Sequence, residues 1–332
     1  MRPAWADGWW ALGSIYYDQD RFSEAEPALK HFVASAPRPG PAYAFLGLCE
    51  YETRDYARAI EHFQKWALEG SPGNRELIDV ASFHWALLLT REGHFTEALF
   101  LFAAKAERLG VSPALAEAMG LASLHMKYLP EEYPPERREI VWLAGETALY
   151  GSLQTHDFDR ANEYARRLEL HYDQEPNVHY FLGTQYGFQK DNAKAAEEYR
   201  EELQISPGHV PAMIGLATID LEGANLDEAA SLAERAIQIE PKDAEAHHTL
   251  GRALLAKGQL AESARELETA KQLAPYAYLI RLHLTTVYRR LGRNKEAEQE
   301  MEAFTKLKSN SEALLSPEQL RDLLREQPEK PK

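Results

Sequence analysis

Apolar residues recur along this chain three and four places apart, and no stretch shows the alternation of a strand. Between 226 and 239, Leu226, Ala229, Ala230, Ala233, Ala236 and Ile237 fall on one side of a helix, with the charged residues on the other. The same spacing predicts helices over most of the chain. They come in pairs, and the pair repeats with a period of about 34 residues.

The first unit, from Ala6, holds Trp9, Leu12, Gly13, Tyr16, Ala25, Leu29 and Pro37. A second, from Gly40, holds Tyr43, Leu46, Gly47, Ala59 and Phe63, and a third, from about Asp79, holds Trp85, Gly93, Ala98 and Phe102. The register slips and returns at Pro176 with Leu182, Gly183, Tyr186, Ala195, Tyr199 and Pro207. It continues through Leu216, Ala217, Ala229 and Pro241, then Leu250, Gly251, Leu267 and Pro275, then Leu284, Tyr288, Ala297 and Met301. Leucine and aromatic stand four apart on one helical face, and the small residue after the leucine lets a neighbouring helix approach. The alanine marks where the second helix crosses the first; a large side chain there would cost about 1 to 3 kcal/mol. Proline inside a helix costs about 3 kcal/mol, so its return at one phase marks helix ends. Gly93, Gly258 and Gly292 fall in the turns within units.

These residues resemble the tetratricopeptide-repeat (TPR) pattern over about 6 to 311. The resemblance implies an all-α, right-handed superhelical solenoid of antiparallel helix pairs, with about eight repeats of which the fourth is irregular. Units are expected near 6–39, 40–73, 79–112, 113–175 (the irregular one), 176–209, 210–243, 244–277 and 278–311. In the irregular stretch, 113–128 reads as one helix, and Pro130, Pro134 and Pro135 break it into a loop before helices near 136–154 and 157–171. Two readings of that loop stand: a neutral insertion, or a hinge or partner-contacting segment. Ser316, Pro317 and Gln319 carry a helix-start signature, so 312–326 is expected to hold a capping helix and 327–332 a disordered tail.

Hydrophobic residues make up 45% and charged residues 27% of the 332, enough apolar surface for a continuous core. The formal charge of −15, from 52 acidic against 37 basic residues, opposes binding to a phosphate backbone. No nucleic-acid partner is expected. The single cysteine, Cys49, precludes an internal disulfide, and no uninterrupted apolar run of membrane-spanning length occurs, so no membrane insertion is expected. As given, the sequence carries no export signal and reads as cytoplasmic; Trp5, Trp9 and Trp10 enter the first repeat so early that an upstream signal is conceivable, with periplasmic or secreted location as the consequence.

No nucleotide-binding, nucleophile-elbow or H-E-x-x-H motif is present. His247 and His248 are adjacent and point about 100° apart on a helix, which is poor metal-ligand geometry. Cys49, beside Leu46 and Leu48, reads as a buried inert thiol. No enzyme activity, cofactor or metal is expected. The resemblance instead implies a non-enzymatic scaffold or adaptor that holds a protein or peptide in a groove lined by first helices. Its groove positions here include Trp10, Tyr17, Tyr51, Phe83, Tyr180, Phe188, His248, Arg252, Arg289 and Arg290. The aromatic run is either repeat packing or a set of binding anchors. The arginines are either a solvated basic face or a seat for an acidic segment. A chaperone-tail clamp of Lys and Asn is not expected, since Trp10, Ser14, Ala44 and Leu48 stand at its places. Two further functions stay open: an envelope assembly or secretion factor lacking its export signal here, and the TPR part of an enzyme whose catalytic domain lies elsewhere.

Overall fold

A computed structural model describes residues 5–37, 39–69, 73–152, 157–275 and 277–312. Among them are seventeen α-helices and one 3-10 turn, with no strand. The contacts divide the chain into two units, the first ending at Gly145 and the second spanning Glu146–Glu312. The expected capping helix and tail lie outside the described residues.

The first unit contains α1 (Ala6–Asp18), α2 (Phe22–Ser35), α3 (Gly40–Glu52), α4 (Tyr56–Glu69), α5 (Arg75–Glu92), α6 (Phe95–Leu109) and α7 (Pro113–Ser123). A 3-10 turn, Pro135–Arg137, leads into α8 (Arg138–Ser152), inside which the division falls. The second unit continues with α9 (Phe158–Tyr172), α10 (Val178–Phe188), α11 (Asn192–Ile205), α12 (Val210–Glu222), α13 (Leu226–Ile239), α14 (Ala244–Ala256), α15 (Leu260–Leu273), α16 (Tyr278–Arg290) and α17 (Asn294–Glu312). This is an all-α stack of antiparallel pairs. First helices also touch one another, α1 with α3 and α3 with α5 in one unit, α10 with α12, α12 with α14 and α14 with α16 in the other. They form an inner layer within each unit.

The repeat residues explain the packing. Ala25, Ala59, Ala98, Ala195 and Ala229 are wholly buried. Ser263 takes the same place in α15, and its hydroxyl donates to the Gly251 carbonyl at 2.7 Å, which measures how closely the two helices pass. The repeat glycines do something more particular than admit a helix. A Cβ on Gly13, Gly47, Gly183 or Gly251 would meet the side chain of Leu29, Phe63, Tyr199 or Leu267 at 2.6 to 2.8 Å. Each glycine is the hole for the large residue of its partner helix.

The turns within pairs use a left-handed residue, and only some are glycine. Gly93, Gly258 and Gly292 have φ of 89°, 80° and 75°, while Asp20, Arg54, Lys190 and Ala224 hold φ of 56° to 63° at the same phase. His125 does likewise, with φ 54°, and ends α7 at Ser123 rather than near 128 as the apolar spacing suggests. Its backbone turn is closed by Met126 N–H donating to Leu121 O at 2.8 Å, and its ring stacks on Phe95 at 4.4 Å.

Where the pattern calls for tryptophan at the fourth place, three repeats of the second unit have a histidine or arginine that bonds a glutamate, while Met213 keeps the fourth apolar. His179 Nδ1–H donates to Glu198 Oε2 at 2.6 Å, and His247 Nδ1–H to Glu266 Oε2 at 2.7 Å. Arg281 Nη1–H donates to Glu300 Oε2 at 2.9 Å, and Lys271 Nζ reaches the other oxygen at 2.8 Å. The two partners are 19 residues apart in each pair. These bonds tie first helix to second across a largely buried seam.

The hydrogen bond to Glu198 raises the His179 pKa against the opposing effect of burial. A folded pKa above the unfolded value of about 6.5 stabilises most below that pH, and the contribution is lost as pH rises through the folded pKa. The urea midpoint is therefore expected to fall as pH rises above about 6.5, and Glu198→Gln to flatten that slope. An equal slope in both proteins would remove the pair from the account.

Candidate functional site

In the first unit the inner-layer aromatics are seated against neighbouring helices. Trp10 lies between Phe32, at 5.2 Å, and Phe45, at 5.5 Å. Tyr17 meets the same Phe45 edge-on at 4.8 Å and Phe22 at 5.6 Å, and burial pushes its hydroxyl up to about 12. Tyr51 is 9% exposed. It packs on His84 at 4.7 Å and Tyr56 at 5.7 Å, and Phe83 also meets His84, at 5.7 Å. The structure thus joins Trp10 to Tyr17 through Phe45, and Tyr51 to Phe83 through His84.

In the second unit Tyr180 is half-buried against His209 at 4.9 Å and Tyr199 at 6.1 Å, with its hydroxyl pushed up to about 12 by burial. Phe188, at the end of α10, is 58% exposed. His248, expected to line the groove, is buried; its Nε2 lies 2.9 Å from Nδ1 of His283, and its Nδ1 lies 3.2 Å from Glu245 Oε1. Burial, then the neighbouring His248 and Arg252, lowers His283 to about 4. His283 is therefore neutral at neutral pH, and the contact between the two rings links α14 to α16.

The arginines differ from one another. Arg290 is exposed, but its Nη1 donates to the Leu255 carbonyl at 2.9 Å and so ties the ends of α16 and α14 together. Arg289 is exposed beside it on α16. Arg252 is half-buried on α14. The half-buried Arg91 and Arg281 meet carboxylates at 3.3 and 2.9 Å. Among the described residues no hydrogen bond or ion pair engages Arg252 or Arg289. His283 is the residue that groove positions taken from the repeat phase overlooked.

Cys49 is buried and its thiol is pushed up to about 12, chiefly by burial, which suppresses the reactive thiolate. Among the described residues no group of three or more His, Cys, Asp or Glu is placed to hold a metal ion, and no helix is long and apolar enough to cross a membrane.

Comparison with known proteins supplies the family. Residues 99–308, more than half of the chain, match the family described as the cilia and flagella-associated protein 70 middle TPR-like domain, and residues 11–75 match the tetratricopeptide repeat. No curated protein matches the sequence. Among solved structures, the chain is similar to MamA (41 to end) from Desulfovibrio magneticus RS-1, at 22% identity and a TM-score of 0.42, over 46% of this chain and 86% of that one. It is also similar to YrrB, described as a TPR protein with an unusual peptide-binding site, at 16% identity and a TM-score of 0.41, over 52% of this chain and 88% of that one. The paired helices, the glycine holes and the two family matches lead to one identification: the chain is a tetratricopeptide-repeat protein and belongs to the family of the cilia and flagella-associated protein 70 middle TPR-like domain.

Proposed function

We propose that the protein is a non-enzymatic interaction scaffold that holds a protein or peptide segment on its inner-layer helices, with the acidic part of that segment on α14 and α16. The observation that carries this reading is Arg252, a half-buried cation that no carboxylate meets among the described residues. A partly desolvated guanidinium without a partner favours an incoming anion, and its planar fork matches a carboxylate. Arg289 on the adjacent first helix adds a second cation, and exposed Phe188 on α10 offers an apolar contact in the same inner layer. The formal charge of −15 works against non-specific capture of acidic ligands, which leaves recognition of one to local cations such as Arg252 and Arg289.

The test is quantitative capture from native extract, with the intact chain run beside a variant carrying Arg252→Glu and Arg289→Glu. Charge reversal is expected to cut recovery of the specifically bound protein by about tenfold or more, because each lost charge-assisted contact is worth about 1.5 to 3 kcal/mol. The helical signal should stay unchanged. Equal recovery by both chains would sink the assignment.

A further inference from the structure

The loop between α7 and α8 is seated on the first unit's own inner layer. Two apolar anchors fix it, Leu129, wholly buried, and Tyr133, 4% exposed. Arg138 holds its entrance by donating to the Pro130 carbonyl at 3.3 Å while pairing with Glu117 at 3.1 Å. Pro130 and Pro134 keep the chain from closing into a helix. Between the anchors stand two consecutive carboxylates. Glu131 Oε1 accepts from the Tyr51 hydroxyl on α3 at 3.4 Å, and Glu132 Oε2 accepts from Arg91 Nε on α5 at 3.3 Å. The Arg91 guanidinium also lies over the Tyr56 ring, 4.8 Å from its centre.

The two parts of this contact differ in tightness. The anchors are buried, and Glu132 Oε2 also accepts from the loop's own Leu129 N–H at 3.0 Å, but the carboxylate contacts to α3 and α5 are longer than the roughly 2.7 to 2.9 Å of a close charge-assisted bond. Glu132 and Arg91 are each 35% exposed, so water competes for both. The receiving surface is itself well built, since Tyr51 is held by Tyr56 and His84 whatever occupies it.

We infer that Tyr51, Tyr56 and Arg91 form a second binding site, for an extended acidic peptide with adjacent carboxylates, and that Glu131 and Glu132 of the chain's own loop occupy it in cis. A partner segment of this chemistry gains the site by displacing the loop. The site lies in a different unit from Arg252 and Arg289, so the two assignments stand or fall separately.

The experiment uses the full chain with 129–135 replaced by a Gly-Ser linker of equal length. The probe is a fluorescent peptide copying 127–137, compared with the same peptide in which Gln replaces both of its central glutamates. The linker chain is expected to bind the Glu-Glu peptide about tenfold more tightly than it binds the Gln-Gln peptide, and about tenfold more tightly than the intact chain does. Adding Arg91→Gln should erase the preference between the peptides. Equal binding of both peptides, or no binding to a linker chain that keeps its helical signal, overturns the inference. Loss of the helical signal in the linker chain overturns it too, because a loop that the fold cannot release is not an exchangeable occupant.

Discussion

Gly120→Ala is expected to destabilise the first unit by about 3 kcal/mol or more. In an ordinary helix the change would stabilise, since alanine is favoured over glycine by about 1 kcal/mol. Here the added Cβ would overlap the carbonyl of Val141, and a Cβ on Gly145 would overlap the carbonyl of Ala116. The two glycines face each other's helices, so α7 and α8 cross at backbone contact. A rotamer change offers no escape, because the obstacle is main chain rather than the end of a side chain. The repeat glycines provide the contrast. For Gly47→Ala the close obstacle is the Phe63 ring, and for Gly251→Ala the end of the Leu267 side chain. Urea unfolding followed by circular dichroism should rank Gly120→Ala well below Gly47→Ala. A Gly120→Ala protein within about 1 kcal/mol of the parent would show that α7 and α8 do not cross this closely.

Glu202→Leu is the second large effect, expected at about 2 to 6 kcal/mol, from two partly buried donors each costing about 1 to 3 kcal/mol when left unpaired. Glu202 is wholly buried in α11, yet its carboxylate serves the start of α10: Oε1 accepts from Asn177 N–H at 3.0 Å and Oε2 from Tyr180 N–H at 3.2 Å. Asn177, at the N-cap, has φ of 70° and directs its side chain away, accepting from His209 Nε2–H at 2.7 Å. His209 Nδ1 in turn accepts from Ala212 N–H at 3.1 Å and caps α12. The negative charge also lies at the positive end of the α10 dipole. Leucine preserves the apolar contacts and removes both acceptors, so the loss isolates the cap. Amide exchange at Asn177 and Tyr180 should quicken first; a midpoint within error of the parent would mean that water or another group caps α10 equally well.

Much of the fold is legible in the sequence because its determinants are local. Apolar spacing places the helices, and Pro37, Pro207, Pro241 and Pro275 mark the ends of the second helices. Other features depend on partners far along the chain. Left-handed Asp20, Arg54, Lys190 and Ala224 carry no compositional mark of their conformation, unlike Gly258 and Gly292. The His179–Glu198, His247–Glu266 and Arg281–Glu300 pairs do leave a trace, a cation or histidine and a glutamate 19 apart, visible only once the repeat register is known. Gly120 and Gly145 sit outside the repeat phase, so nothing in the pattern distinguishes them from helix-weakening residues.

The candidate site was legible by position and less so by role. Groove phase selects Trp10, Tyr17, Tyr51, Phe83 and Tyr180, but each ring has neighbours that the phase does not reveal, Phe45 and His84 above all. It selects His248 without His283, whose ring completes the imidazole pair. It also selects Arg252, Arg289 and Arg290 alike, whereas the structure separates Arg290 by its bond to the Leu255 carbonyl. Each distinction depends on which side chain arrives from another helix.

The most direct measurement is amide hydrogen exchange of the chain alone and in complex with the protein it captures. The account predicts slowed exchange in the inner-layer helices α14 and α16, around Arg252 and Arg289, with their outer partners α15 and α17 unchanged. Protection confined to α15 and α17 would contradict it.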